Sequence, residues 1–72
     1  MPYYIHTKRG TMVYSIEIDY RDGTTAFKHA KRRKATRPAT IDRQITEITD
    51  SVYWTEEQAG KSVQRITITP VS

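Results

Sequence analysis

The stretch Met-Val-Tyr-Ser-Ile-Glu-Ile-Asp-Tyr, residues 12 to 20, followed by Arg21-Asp22-Gly23-Thr24, decides how this chain folds. Met12, Tyr14, Ile16, Ile18 and Tyr20 alternate with Val13, Ser15, Glu17 and Asp19. Successive side chains of a strand point to opposite faces, so this period of two describes a strand with one buried face. Asp22-Gly23 then supplies the positive backbone angles of a tight hairpin, and a second strand should return along the first. With Asp22 and Gly23 as a two-residue loop, Tyr20 faces Thr25, Ile18 faces Phe27, Glu17 faces Lys28 and Ile16 faces His29. That register sets apolar beside apolar on one face and opposite charges beside each other on the other. Upstream, Tyr3 to Lys8 and the turn Arg9-Gly10 read as another hairpin arm, with Ile5 against Tyr14 and Tyr3 against Ile16.

Beyond the hairpin the period changes. Ile41, Ile45, Ile48 and Val52 recur at spacings of four, three and four, the stripe of an amphipathic helix. The threonines among them are poor helix formers, which leaves a strand from Glu47 to Thr55 as the competing reading, but periodicity outweighs propensity. Pro38 suits the first turn, and Asp42 is placed to favour the positive end of the helix dipole. Thr55-Glu56-Glu57-Gln58 has the pattern of a capping box for one further turn, which Gly60 stops. Val63 to Pro70 alternates Ile66 and Ile68 against Thr67 and Thr69 and makes a last strand, with Pro70 suited to its end or to an edge.

The fold class that follows is α+β. It is a small two-layer domain with a mainly antiparallel sheet of about four strands, in β-β-β-α-β order, and one helix packed on one face. Residues 1–72 form a single domain, with a mobile basic loop expected at 31–38. Eight Ile, four Val and eleven Thr against no Leu reinforce the strand content. At this size only roughly 60% of the unfolded chain's surface can be buried, so stability is modest and a homo-oligomer is one route to further burial. There is no cysteine, and His6 and His29 are the only imidazoles, so disulfides, a metal site and other cofactors are not expected. No run of even seven apolar residues occurs, which predicts a soluble, cytoplasmic chain with no membrane partner.

Charge is the feature that bears on function. Six of the twelve basic side chains, Lys28, Lys31, Arg32, Arg33, Lys34 and Arg37, fall within ten residues, and no Asp or Glu lies between Gly23 and Ile41. Outside that window six Lys or Arg face eight Asp or Glu, so the net charge of +4 comes from one segment. Clustered cations attract a polyanion where scattered ones are neutralised by their neighbours. These six residues are therefore the expected phosphate contacts to DNA or RNA, with a solvated loop or an import signal at Lys31 to Lys34 as the plainer reading. Arg9 and Arg21 sit in the two hairpin turns, at opposite ends of the shared strand.

Tyr4, His6 and Val13 fall on the sheet face away from the core, where exposed aromatics can stack bases. Tyr4, His6 and Trp54 are the expected stacking or partner contacts, although the plainer reading has Tyr3 and Tyr4 cover a small core or pack at a dimer interface, and Trp54 at the end of the helix more naturally closes the core. Glu17 and Asp19 share a strand face, as a carboxylate pair would, but Lys28 opposite Glu17 makes a surface ion pair the plainer account. His29 has no nucleophile to serve, so no enzymatic activity is expected. The sequence thus points to a non-enzymatic nucleic-acid-binding accessory protein. The alternative is a small interaction protein that inhibits or adapts a larger nucleic-acid-handling machine, of the kind mobile elements and phages encode, docking through an acidic protein surface.

Overall fold

β1 (Thr11–Tyr20) is the centre of the molecule, because its alternation gives it a continuous apolar face. The computed structural model describes residues 10–71. β1 pairs antiparallel with β2 (Thr25–Arg33) on one flank and with β3 (Val63–Pro70) on the other, in a three-stranded sheet ordered β2-β1-β3. β2 and β3 each oppose β1 and so run parallel to one another, and a chain joining them must cross from one sheet edge to the other. The helix α1 (Pro38–Gln58) makes that crossing, giving the order β-β-α-β. The expected arm Tyr3–Lys8 lies outside the described residues. At Tyr14 and Ile16, where it would find its partners, β1 is already flanked by Ala30 and Lys28 on one side and by Pro70 and Ile68 on the other. No helix among the described residues is long and apolar enough to cross a membrane.

The hairpin between β1 and β2 departs from the expected register by one residue. Tyr20 carbonyl oxygen accepts from the Gly23 amide at 3.1 Å, and the Tyr20 amide donates to the Thr24 carbonyl at 2.9 Å. Arg21, Asp22 and Gly23 therefore form a three-residue loop, a turn followed by a glycine in the left-handed region at φ +91°. The Asp22 carboxylate accepts from the Thr24 hydroxyl at 2.6 Å and from its amide at 2.9 Å, which closes the loop. Those bonds hold the Asp22 carboxyl below its ordinary range. Ile18 now faces Ala26, Glu17 faces Phe27, Ile16 faces Lys28 and Ser15 faces His29. A slip of one residue turns every side chain of a strand to the other face. Phe27 and His29 are thus on the sheet face away from the helix, and Lys28 is on the helix side.

A Cβ at Gly23 would meet nothing within 4 Å, so a substitution there is opposed by backbone conformation alone. Gly23→Val is expected to lower stability by about 1 to 2 kcal/mol, the cost of a left-handed angle for an ordinary residue. Thermal unfolding measures it, and an unchanged midpoint would show that the loop does not demand this conformation.

Pro38 opens α1, where its missing amide has no partner to lose, and Arg37 occupies the N-cap without a side-chain hydrogen bond. The first turn holds no acidic residue. Asp42 lies beyond it, and the dipole interaction expected of Asp42 fades within that first turn. The helix runs straight through Glu47 to Thr55, which overturns the competing strand, and takes in Thr55 to Gln58 as its own last turn. It ends where Gly60, at φ +80°, lets the Lys61 amide donate to the Glu56 carbonyl and the Gly60 amide to that of Glu57, both at 3.0 Å.

Ile48 is fully buried, and Ile41, Ile45 and Val52 pack half-buried against Met12, Tyr14, Ile16, Ile18, Tyr20 and Val63. Ile66 and Ile68 of β3 extend this core, and the helix approaches the sheet most closely at β3. Two tyrosines at the ends of the β1 face tie the layers together. The Tyr14 hydroxyl donates to Gln44 Oε1 at 2.6 Å, and Gln44 Nε2 in turn donates to the Arg33 carbonyl at 2.8 Å. The Tyr20 hydroxyl donates to Glu56 Oε1. Among the described residues each buried side-chain nitrogen or oxygen thus has a partner, as burial requires.

Candidate nucleic-acid interface

The basic run is divided by the pleat of β2. The strand continues through Arg33, so Lys31, Arg32 and Arg33 belong to β2 and Pro38 to α1, and the loop expected at 31–38 shortens to Lys34 to Arg37. Within the strand, Lys31 and Arg33 stand on the face away from the helix together with His29, while Lys28 and Arg32 lie on the helix side. The Lys28 ammonium is 3.6 Å from Glu56 Oε1, a bond that replaces the expected pairing with Glu17. Arg32 is half-buried, and its Nη1 donates to the Lys31 carbonyl at 2.7 Å. Burial pushes the Tyr14 hydroxyl pKa up, and the nearby Arg32 charge works against that shift. Lys34 and Arg37 are exposed in the connection, and the Lys34 amide donates to the Gly10 carbonyl at 2.6 Å. Arg21 lies at the opposite end of β1, where its amide donates to Ser62, so it does not join this group. Arg9 lies outside the described residues.

Among the described residues no element lies over the second face of the sheet, which has a graded character. At the turn end, Asp19 accepts from the Thr25 hydroxyl at 3.0 Å and faces Arg65 on β3, and Glu17 faces Phe27 on one side and Thr67 on the other. In the middle, His29, Ser15 and Thr69 form a row across the three strands. At the far end are Lys31 and Arg33, with buried Val13 opposite Lys31 and Thr11 opposite Arg33. Phe27 is 69% exposed here, a consequence of the one-residue shift in register. The sequence reading assigned it to the core, because the two-residue loop pairs it with Ile18. Recognising Gly23 as the third residue of a three-residue loop would have turned it outward.

Of the expected stacking residues, Tyr4 and His6 lie outside the described residues. Trp54 does not close the core. It is 66% exposed and Tyr53 beside it 48%, because Trp54 stands about 200° around the helix from Val52 and so faces away from the sheet. The position that continues the buried stripe after Val52 is instead Glu56, which sequence reasoning did not single out. Its carboxylate is held below the ordinary range chiefly by the Tyr20 hydroxyl, and the same bond pushes Tyr20 up to about 12. Lys61 Nζ lies 5.3 Å from the Tyr20 ring centroid, on the same corner. A tyrosine held neutral and a carboxylate locked in ion and hydrogen bonds form a structural corner rather than an acid and base poised for transfer.

The outer surface of α1 has the opposite charge to β2. Apart from the buried Glu56, the helix carries Asp42, Glu47, Asp50 and Glu57 against Arg43 alone. The fold therefore places a cationic edge strand and an anionic helix in separate regions of one small domain. Among the described residues no three His, Cys, Asp or Glu side chains gather as metal ligands would. Comparison with protein-family models, with curated proteins and with solved structures finds no match to this chain.

Proposed function

We propose that the chain is a non-enzymatic nucleic-acid-binding accessory protein that contacts phosphates through the basic residues of β2 and of the connection after it. The observation that carries this reading is the grouping of Lys31, Arg33, Lys34 and Arg37. All four are exposed, and among the described residues Lys28 alone of the run takes part in an ion pair. Flexible or forked cations in such a group neutralise phosphates and release their counterions without reading sequence. Lys and Arg on an edge strand also discourage pairing with another sheet edge, and the two roles are compatible.

The test is a salt titration of affinity for labelled duplex and single-stranded oligonucleotides. The expected log-log slope has a magnitude of roughly 3 to 5, corresponding to about four to six neutralised phosphates. Arg33→Ala with Arg37→Ala, both exposed, should lower it by roughly one to two units and weaken all sequences alike, since phosphate contacts carry no base information. No binding at low salt would sink the reading.

A second reading is favoured by the exposed Tyr53 and Trp54 on the acidic helix surface, since an exposed Trp is a frequent energetic centre of protein interfaces. In it the chain is a small interaction protein that inhibits or adapts a larger nucleic-acid-handling machine. Capture of one protein from nuclease-treated extract, abolished by Trp54→Ala or by the double arginine substitution, would favour this reading over direct nucleic-acid binding.

A further inference from the structure

We infer that the sheet face away from α1 is a platform for single-stranded nucleic acid, on which Phe27 stacks an unpaired base while Lys31 and Arg33 hold the adjoining phosphates. This rests on the nucleic-acid reading above and narrows it to one class of ligand. Phe27, His29, Lys31 and Arg33 are alternate residues of β2 and therefore share the face away from α1. All four are exposed, and successive members stand roughly 6.6 Å apart along the strand. The strand thus presents one aromatic ring, one imidazole and two cations in line.

A Phe ring 69% exposed on the sheet face away from α1 loses favourable burial unless something covers it. The flat face of a base is suited to do so, because stacking tolerates any base identity. The neighbouring charges set the direction of the strand. Glu17, directly opposite Phe27, repels phosphate, so the backbone runs toward Lys31 and Arg33 and only a base reaches the ring. A duplex cannot use Phe27, since its bases are stacked on one another and it offers the protein phosphates and groove edges only. The cations contribute to both ligands, whereas the ring distinguishes between them.

The experiment compares a fluorescein-labelled single-stranded oligothymidylate with a duplex of the same length by anisotropy, using the full chain. Phe27→Ala should weaken single-strand binding by roughly 5- to 150-fold, the range for losing one stacked base, while leaving duplex affinity and the salt slope unchanged. Phe27→Leu keeps the apolar bulk without a π face and should lose single-strand affinity in the same way, and Phe27→Trp should restore it. Thermal unfolding of each variant checks that the fold is retained. Unchanged single-strand affinity in both Phe27→Ala and Phe27→Leu, or an equal loss for single strand and duplex, overturns the stacking role and leaves phosphate binding through Lys31 and Arg33 standing. Failure of the unsubstituted chain to bind either oligonucleotide at low salt overturns the parent reading, and this inference with it.

Discussion

Replacing Ile48 by alanine is expected to destabilise the domain by about 2 to 5 kcal/mol, the range for truncating a fully buried aliphatic side chain to Ala. Ile48 is 1% exposed and occupies the middle of the α1 stripe, where it packs in one cluster with Tyr14, Ile16 and Ile18. The β1 strand beneath it is hydrogen-bonded on both flanks and cannot easily collapse into the space that truncation leaves. A domain of this size has only a modest reserve of stability, so a loss near the upper end of the range would leave a large unfolded population at ambient temperature. Urea denaturation measures the change, and a midpoint shift without a change in slope identifies it as stability. Glu47→Ala, one residue away and exposed on the outer surface of the helix, should stay within about 0.5 kcal/mol. Equal effects at the two positions would contradict the burial of the stripe.

Stability should also depend on pH through the Tyr20 and Glu56 pair, with opposite signs at the two ends of the scale. The folded-state pKa of Glu56 is lowered, chiefly by the Tyr20 hydroxyl. Its contribution is therefore complete above the unfolded glutamate value of roughly 4.3 and is lost as pH falls through the lower folded value. Tyr20 is raised, chiefly by its bond to Glu56, to about 12. Its contribution is complete below the unfolded tyrosine value of roughly 10 and is lost as pH rises toward the folded one. Glu56→Ala is expected to cost about 1 to 3 kcal/mol at neutral pH, since it strands a buried hydroxyl and removes the carboxylate facing Lys28. Glu56→Gln should weaken the acid dependence, and Tyr20→Phe should weaken the alkaline one. Denaturation midpoints measured from acid to alkaline pH provide the check, and a Glu56→Gln variant with the acid limb of the unsubstituted chain would exclude Glu56 as its source.

The readings of the chain that hold are those resting on local period. Met12 to Tyr20 alternates and is a strand whose even positions are buried. Ile41, Ile45, Ile48 and Val52 recur as a helix does and lie on the face packed against the sheet. Val63 to Pro70 is the last strand, with Ile66 and Ile68 turned inward, and Gly60 ends the helix. Each of these depends on residues within a few positions of one another, where sterics and hydrogen-bond geometry act directly.

By itself, then, the sequence determined the class of the domain, the inward faces of β1 and α1, and the existence of one concentrated source of positive charge. The tertiary structure alone decided how that charge is distributed and which aromatic groups are presented. Asp22-Gly23 is compatible with loops of two or three residues, and the two choices place opposite faces of β2 against the helix. Locally the shorter loop looks better, since it pairs Phe27 with Ile18 and Lys28 with Glu17. The observed register instead sets Lys28 beside Glu56, a buried carboxylate supplied by the far end of α1, and leaves Ala26 and Ala30 facing inward on the edge strand. Phe27 is exposed in consequence, and Lys31 and Arg33 come to share its face. Glu56 can be recognised as Lys28's partner only when helix and sheet are docked, because nothing local to either residue specifies the other. Contacts between elements distant in sequence carry no period along the chain, so the pairing of Lys28 with Glu56 that accompanies the observed register is legible only in the folded domain.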